Sequence, residues 1–208
     1  PISQCIEATG KKPIDVRWID VKKGNSKNPE YRSRLVAKEI KRDSRDDLFA
    51  ATPPLEAKRI LFSLAVTDGY GFSKNRSFGM KLDFIDIKRA YFHAKVKREL
   101  YIKLPEEDAT EGMYEKVRMS IYGTRDAAQN WEEEYFDYVV SLGFDKGVAS
   151  SCMFYHRERN LRLVDHGDDF TILGHVEHLD WFKEKISDKY EIKHKARLGP
   201  CNGDDRSV

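Results

Sequence analysis

The chain has 208 residues, of which 40% are hydrophobic and 12% aromatic, which is enough to bury a core in one large or two small domains. Charged residues make up 35% of the chain and the formal net charge is +2, so the overall charge neither indicates nor excludes nucleic-acid binding. Three widely spaced cysteines exclude a disulfide framework and a CxxC metal motif. No run reaches the roughly 18 apolar residues of a membrane span. We therefore expect an intracellular protein, in the cytoplasm or the nucleus, without a signal peptide.

The first predicted element is a basic hairpin. Two strands, residues 16–21 and 31–37, flank a turn rich in Gly, Asn, Ser and Pro. Basic side chains outnumber acidic ones over residues 1–47, whereas acidic side chains outnumber basic ones over residues 99–145. These two stretches are expected to face partners of opposite charge.

The remaining elements alternate between helices and short strands. A helix is predicted from a Thr52 cap, with Pro53 in its first turn, to a stop near Gly69. Apolar spacing of three and four predicts a second helix within 124–142, and a third covers 177–190. Strands are predicted at 78–87, 99–104, 114–123, 152–156, 161–165 and 169–174, with a short helical turn at 88–94. This order predicts an α+β fold, with helices packed on an antiparallel sheet.

The segment "RLVDHGDDF", residues 162–170, crowds Asp165, Asp168 and Asp169. A turn at "HGDD", with the positive φ that Gly167 allows, would place the last two at the rim of a sheet. Neighbouring carboxylates raise each other's pKa unless a cation lies between them, and Mg²⁺ is a common solution. Asp165 comes one position too early and is expected to be a solvated bystander.

A further carboxylate is predicted to join this turn from another strand. "KLDFIDIKRAYF" places Asp83 and Asp86 in an otherwise apolar strand, and Asp86 lies where that strand ends. Three carboxylates around two metal ions suit nucleotidyl transfer. Three alternatives stay open: a solvated Asp-rich turn, a zinc site that uses His175 and His178, and an unrelated two-metal nuclease.

Seven segments in register resemble the reverse transcriptase of copia-type LTR retrotransposon polyproteins. They are "YRSRLVAKE", "TPPLEAKRILFSLA", "LDFIDIKRAYFHA", "LYIKLPEE", "SIYGTRDAAQNWEEEY", "LGFDKGVASSCMFY" and "LVDHGDDFTILG". The resemblance implies a right-hand polymerase that copies RNA into DNA from deoxynucleotides with two Mg²⁺ ions, or Mn²⁺. It implies a fingers-like region at 1–80, a palm at 81–198 and a tail at 199–208, with the thumb and RNase H absent.

The same resemblance assigns candidate site residues. Asp86, Asp168 and Asp169 match the catalytic, metal-binding aspartates, and Tyr91 matches the aromatic residue beneath the sugar. The resemblance places three basic residues of the hairpin and one further arginine at the incoming nucleotide: Lys22, Arg32, Arg34 and Arg125.

Four positions depart from the family pattern. Asp126 stands where glutamine is usual and Ala128 where proline is usual, while His166 and Gly167 replace a tyrosine and a small apolar residue. An acid near a triphosphate would repel it, so we expect either that the Asp126 side chain turns away or that the pocket is altered. Arg125 lies alongside as a candidate to neutralise Asp126. The resemblance also implies less support for the primer end at His166.

The expected partners follow from the resemblance. They are an RNA or DNA template with its primer, deoxynucleotides, and integrase and RNase H regions of the same polyprotein, with no membrane. The alternative function is an inactive, truncated remnant that at most binds nucleic acid or a partner.

Overall fold

The computed structural model describes residues 1–40, 48, 50–73, 79–201 and 203–207. It confirms a mixed fold of helices and sheets. The helices are α1 (Ile2–Thr9), α2 (Leu55–Val66), α3 (Ala127–Ser141) and α4 (Val176–Lys189), with a 3₁₀ helix at Ala90–His93. The strands are β1 (Ile14–Gly24), β2 (Pro29–Ala37), β3 (Lys81–Ile87), β4 (Tyr101–Lys103), β5 (Glu115–Lys116), β6 (Asp145–Lys146), β7 (Met153–His156), β8 (Leu161–His166), β9 (Asp169–Gly174) and β10 (Ile192–Leu198).

The chain divides into two compact units, each made of two segments. The first contains Pro1–Phe49 and Tyr91–Glu134, and the second contains Ala50–Ala90 and Tyr135–Val208. The first unit has a four-stranded sheet in the order β2-β1-β4-β5, and the second has a six-stranded sheet in the order β10-β3-β9-β8-β7-β6. The assignment of 1–80 to fingers and 81–198 to palm stays a prediction.

In the first unit, the hairpin of β1 and β2 is longer than predicted. Its end is fixed by the Ala37 N–H, which donates to the Tyr122 carbonyl at 2.8 Å. Gly123 has φ +86°, and a Cβ there would collide with the carbonyl oxygen of Ala37, so this close approach requires glycine. A small core beneath the sheet contains Leu100, Ile102 and Val117.

In the second unit, α2 starts later than predicted. Pro54 is its N-cap, in extended conformation, and it has no side-chain cap, so the prediction of a Thr52 cap was wrong. The reason is local: a residue that precedes proline is disfavoured in helical conformation, and Pro53 precedes Pro54. The helix ends at Val66, before Gly69.

The core of the second unit lies between α2 and the six-stranded sheet. Ala57, Leu61 and Ala65 line the buried face of α2, while Ile60 lies away from that face and is 48% exposed. Sheet residues complete this core: Leu82, Val164 and Leu173. Phe78, the first residue of the predicted strand at 78–87, lies outside the described residues.

Three further observations complete the fold. Helix α1 is not among the elements that the sequence patterns predict. The three cysteines, Cys5, Cys152 and Cys201, are buried, and the structure of the described residues joins no two of them in a disulfide. Of the helices in the described part of the chain, none combines the length and apolarity needed to cross a membrane.

Candidate active site

A tight hairpin turn presents the paired aspartates at the rim of the six-stranded sheet. Strand β8 ends at His166 and β9 begins at Asp169, which leaves a two-residue turn of Gly167 and Asp168. Gly167 has φ +71°, the conformation that a two-residue hairpin of this kind needs at its first position. The Asp168 carbonyl accepts a hydrogen bond from the Ile87 N–H at 2.8 Å, which fixes the turn to β3.

Strand pairing then brings the third aspartate to this turn. Asp86 lies directly opposite Asp169 in the antiparallel pair of β3 and β9, where facing Cβ atoms are about 5 Å apart. The structure therefore brings Asp86, Asp168 and Asp169 to one rim, as the sequence predicted. Their catalytic and metal-binding roles stay predictions.

A lysine lies between two of these carboxylates. Lys195 Nζ is 3.1 Å from Asp86 Oδ1 and 2.5 Å from Asp169 Oδ1. Burial lowers the pKa of Lys195, but hydrogen bonds to Asp169 and Asp86 outweigh it, so the pKa is raised. Sequence reasoning missed Lys195.

The neighbouring carboxylates affect the pKa of Asp168. Asp168 is exposed, yet partial desolvation by the surrounding protein raises the pKa of its carboxyl, and the charges of Asp169 and Asp86 raise it further. A cation among the three would relieve this repulsion.

We asked whether these residues fit a metal ion. Among the described residues, there is no group of three or more His, Cys, Asp or Glu side chains that could hold a metal ion as they stand. Asp86 and Asp169 nevertheless converge on one cation, and carboxylate oxygens are the ligands that Mg²⁺ and Mn²⁺ prefer. The carboxylates of Asp86 and Asp169 therefore fit a divalent ion when Lys195 moves away or keeps only one of its two contacts.

Asp83 lies on the same strand but belongs to a different, structural cluster. Its side chain is fully buried, and Arg197 holds both of its oxygens at 2.6 and 2.7 Å. Arg197 also donates to Asp180 at 2.8 Å. Such a bidentate pair offsets the cost of burying the Asp83 charge, so Asp83 fixes β3 and β10 together rather than joining the rim.

Asp165 is not a solvated bystander, and that prediction was wrong. Its exposed fraction is 0%, and the Tyr135 hydroxyl donates a hydrogen bond to Asp165 Oδ2. Strand alternation explains the burial, because Asp165 lies on the same face of β8 as the buried Leu161 and Leu163. Asp165 therefore helps to anchor the strand that leads into the aspartate turn.

The first unit contains the predicted nucleotide-binding residues, and two of them, Arg34 and Tyr91, join an aromatic cluster. The rings of Tyr91 and Tyr122 pack with centroids 4.6 Å apart, and the Arg34 guanidinium lies 5.4 Å from the Tyr122 ring centroid. We call Arg34, Tyr91 and Tyr122 the aromatic-arginine cluster.

The other two predicted basic residues of the hairpin, Lys22 and Arg32, are not part of this cluster. Arg32 is ion-paired with Glu30 at 2.9 Å. Lys22 pairs in register with Tyr31, whereas Arg34 pairs with Ile19. Facing residues share a face and neighbours alternate, so Lys22 lies on the face opposite to Arg32 and Arg34. The structure does not group the three residues.

Asp126 is neutralised by a residue that the sequence did not indicate. Arg98 donates to Asp126 at 2.9 and 3.1 Å and to Glu39 at 2.5 and 2.8 Å. Burial favours protonated Asp126, but Arg98 outweighs it and lowers the pKa of this carboxyl. Arg125 instead donates its backbone N–H to Glu39 at 2.8 Å. Arg98 is thus the residue seen to pair with Asp126, and a contribution of Arg125 stays a prediction.

Comparison with known proteins identifies the family. The family model described as reverse transcriptase (RNA-dependent DNA polymerase) matches residues 5–202. The chain is 27% identical to the retrovirus-related Pol polyprotein from transposon TNT 1-94 of Nicotiana tabacum, over 92% of this chain and 14% of that protein. It is 26% identical to the Pol polyprotein from transposon RE2 of Arabidopsis thaliana, over 89% of this chain and 13% of that protein.

A yeast relative gives a shorter match. The transposon Ty1-MR1 Gag-Pol polyprotein of Saccharomyces cerevisiae is 31% identical over 55% of this chain and 6% of its own length. The chain thus spans a small part of the curated relatives that it matches. No solved structure matches it significantly. Because the family model covers nearly the whole chain, this protein belongs to the reverse transcriptase family, in the form found in copia-type retrotransposon Pol polyproteins.

Proposed function

We propose that the chain carries the polymerase site of a retrotransposon reverse transcriptase, which extends a primer on an RNA or DNA template with deoxynucleotides. The observation that carries the proposal is the register pair of Asp86 and Asp169, with Asp168 in the adjoining turn. Three carboxylates from two neighbouring strands and the turn beside them are what a metal-assisted nucleotidyl transfer needs.

Within this proposal, Asp86, Asp168 and Asp169 hold two Mg²⁺ ions, with Mn²⁺ as a substitute. Bound divalent ions would activate the primer 3′-hydroxyl and neutralise the leaving pyrophosphate. The chain's own part is to hold three carboxylates at one rim: β3 supplies Asp86, and the Asp168 carbonyl fastens the turn to it. The second unit then corresponds to most of the palm.

The first unit is proposed to bind the incoming nucleotide, as part of the fingers. In the aromatic-arginine cluster, Arg34 offers a guanidinium for phosphate and Tyr91 offers an aromatic face for the sugar. Arg32, Lys22 and Arg125 are proposed to add further positive charge. The template, the primer, and the integrase and RNase H regions of a surrounding polyprotein are the proposed partners.

Primer extension tests this proposal. We expect the chain to extend oligo-dT on poly-rA with Mg²⁺ or Mn²⁺, and Asp168→Asn to abolish extension while leaving folding intact by circular dichroism. Asp137→Asn is the matched control, because Asp137 is an exposed aspartate on α3 and should keep full activity. Extension at the wild-type rate by Asp168→Asn would contradict the assignment.

One observation favours a second candidate, a non-catalytic domain that binds nucleic acid or a partner. Lys195 already satisfies two of the three carboxylates, as a structural ion pair would. This candidate predicts nucleic-acid or partner binding without extension in any divalent ion, even when a longer polyprotein is assayed beside the 208-residue chain.

A further inference from the structure

The position of Lys195 results from an irregularity in β10. Lys193 pairs with Asp86, His194 pairs with Ile85, and the pairing resumes at Ala196 opposite Phe84. Lys195 is therefore the extra residue of a β-bulge. Bulges beside functional sites commonly re-aim a side chain, and here the bulge residue is the one that contacts the aspartates.

The ammonium group of Lys195 contacts the carboxylates that the metal site would use. It is within hydrogen-bond distance of Asp86 and of Asp169 at the same time. Its side chain is 33% exposed, so it can move into solvent without crossing the core. Its four-carbon stem and compact charge suit such movement.

We propose that Lys195 is a built-in counter-ion that competes with a divalent metal ion for Asp86 and Asp169. Without metal, its charge holds the two carboxylates together against their repulsion. When a divalent ion binds, Lys195 gives up at least one of these contacts. The inference rests on the proposed metal site and adds the residue that sets its affinity.

The same geometry predicts how substitution of Lys195 changes the affinity for metal and the stability of the protein. Removing the ammonium group removes a competitor from the metal ligands, so metal affinity should rise. It also leaves two facing carboxylates without the cation between them, so the metal-free protein should lose stability. A residue that only stabilised the fold would not produce the first effect.

Mn²⁺ binding to the 208-residue chain, followed through the electron paramagnetic resonance of free Mn²⁺, tests the proposal. We expect Lys195→Met to lower the Kd for Mn²⁺ by about tenfold or more, in the range typical of groups that surround metal ligands. Lys195→Arg, which keeps the charge, should retain the weaker wild-type affinity. Lys185→Met is the matched control, a partly exposed lysine on α4 whose ammonium group lies beside Asp188, and it should change the Kd by less than about threefold.

Thermal unfolding gives a second readout that does not depend on activity. Lys195→Met should unfold at a lower temperature than the wild type without divalent ions. Its unfolding temperature should rise more than that of the wild type when Mn²⁺ is added, since tighter binding to the folded state stabilises that state more. Lys185→Met should follow the wild type in both conditions.

The outcomes separate this inference from the proposed function. If Asp86→Asn weakens Mn²⁺ binding but Lys195→Met leaves the Kd unchanged or raises it, the metal site stands and the competition is refuted. If neither the wild type nor Lys195→Met binds Mn²⁺ at millimolar concentrations, both the proposed metal site and the role of Lys195 are refuted.

Discussion

The hydroxyl of Tyr135 donates a hydrogen bond to Oδ2 of Asp165, a carboxylate with no exposed surface. Tyr135 is itself buried, and its ring packs against Phe170 with centroids 5.4 Å apart. Since Phe170 directly follows Asp169, this contact links the interior of the second unit to the strand that carries the aspartate turn.

Tyr135→Phe is therefore expected to destabilise the protein. It removes one donor from a buried carboxyl group while keeping the ring, and leaving a buried polar group without that partner costs about 1–3 kcal/mol. Urea unfolding would measure the change. Tyr155→Phe is the control, because its hydroxyl makes a 3.3 Å contact with Asn160 in a partly exposed position, and we expect a cost below about 0.5 kcal/mol. Equal costs for the two variants would contradict the importance of the Asp165 bond.

The cluster of Arg98, Asp126 and Glu39 predicts a pH dependence of stability. Burial tends to raise the pKa of Asp126, but Arg98 lowers it below the usual value in the folded protein. Asp126 therefore contributes stability that is fully present above the unfolded-state pKa of about 3.9. That contribution is lost as the pH falls through the lower folded-state pKa.

We expect the stability of Asp126→Asn to change less with pH over this range than the stability of the wild type. The measurement is the urea midpoint of the wild type and the variant from pH 6 down to the acid limit of folding. The difference between them should shrink as the pH falls below about 4. A difference that stays constant over this range would show that the ionised form of Asp126 is not what Arg98 stabilises.

The parts of the site that sequence reasoning found are those set by local pattern. The carboxylates of the "HGDD" turn and of the strand end at Asp86 follow from strand alternation and turn chemistry, and the register pair brings them together. The same alternation could have predicted the burial of Asp165, which is in phase with Leu161 and Leu163.

The missed residues act across long separations or through irregular pairing. Arg98 reaches Asp126 over 28 residues and Glu39 over 59, and nothing in its local sequence indicates either partner. Lys195 reaches Asp169 only because a bulge shifts the pairing of β10. A single residue of register decides which lysine meets the aspartates, and sequence periodicity does not fix register at that precision.

The hairpin of the first unit allows a prediction that separates two of its basic residues. Arg34 belongs to the aromatic-arginine cluster, whereas Lys22 lies on the other face and contacts the Tyr31 ring at 5.9 Å. If the proposed function holds, Arg34→Gln should raise the KM for deoxynucleotide about tenfold, as loss of one hydrogen bond to a charged phosphate would. Its kcat should change little, because uniform binding is lost.

Lys22→Gln is the matched control for Arg34→Gln, since it removes the same charge from the neighbouring strand. Its KM for deoxynucleotide should rise by less than about threefold, because Lys22 adds its positive charge from the other face of the hairpin, where salt screens it. Steady-state primer extension at varied deoxynucleotide concentration measures both variants. A rise in KM for Lys22→Gln that equals the rise for Arg34→Gln would mean that the net charge of the hairpin binds the nucleotide and that the face of the hairpin does not matter.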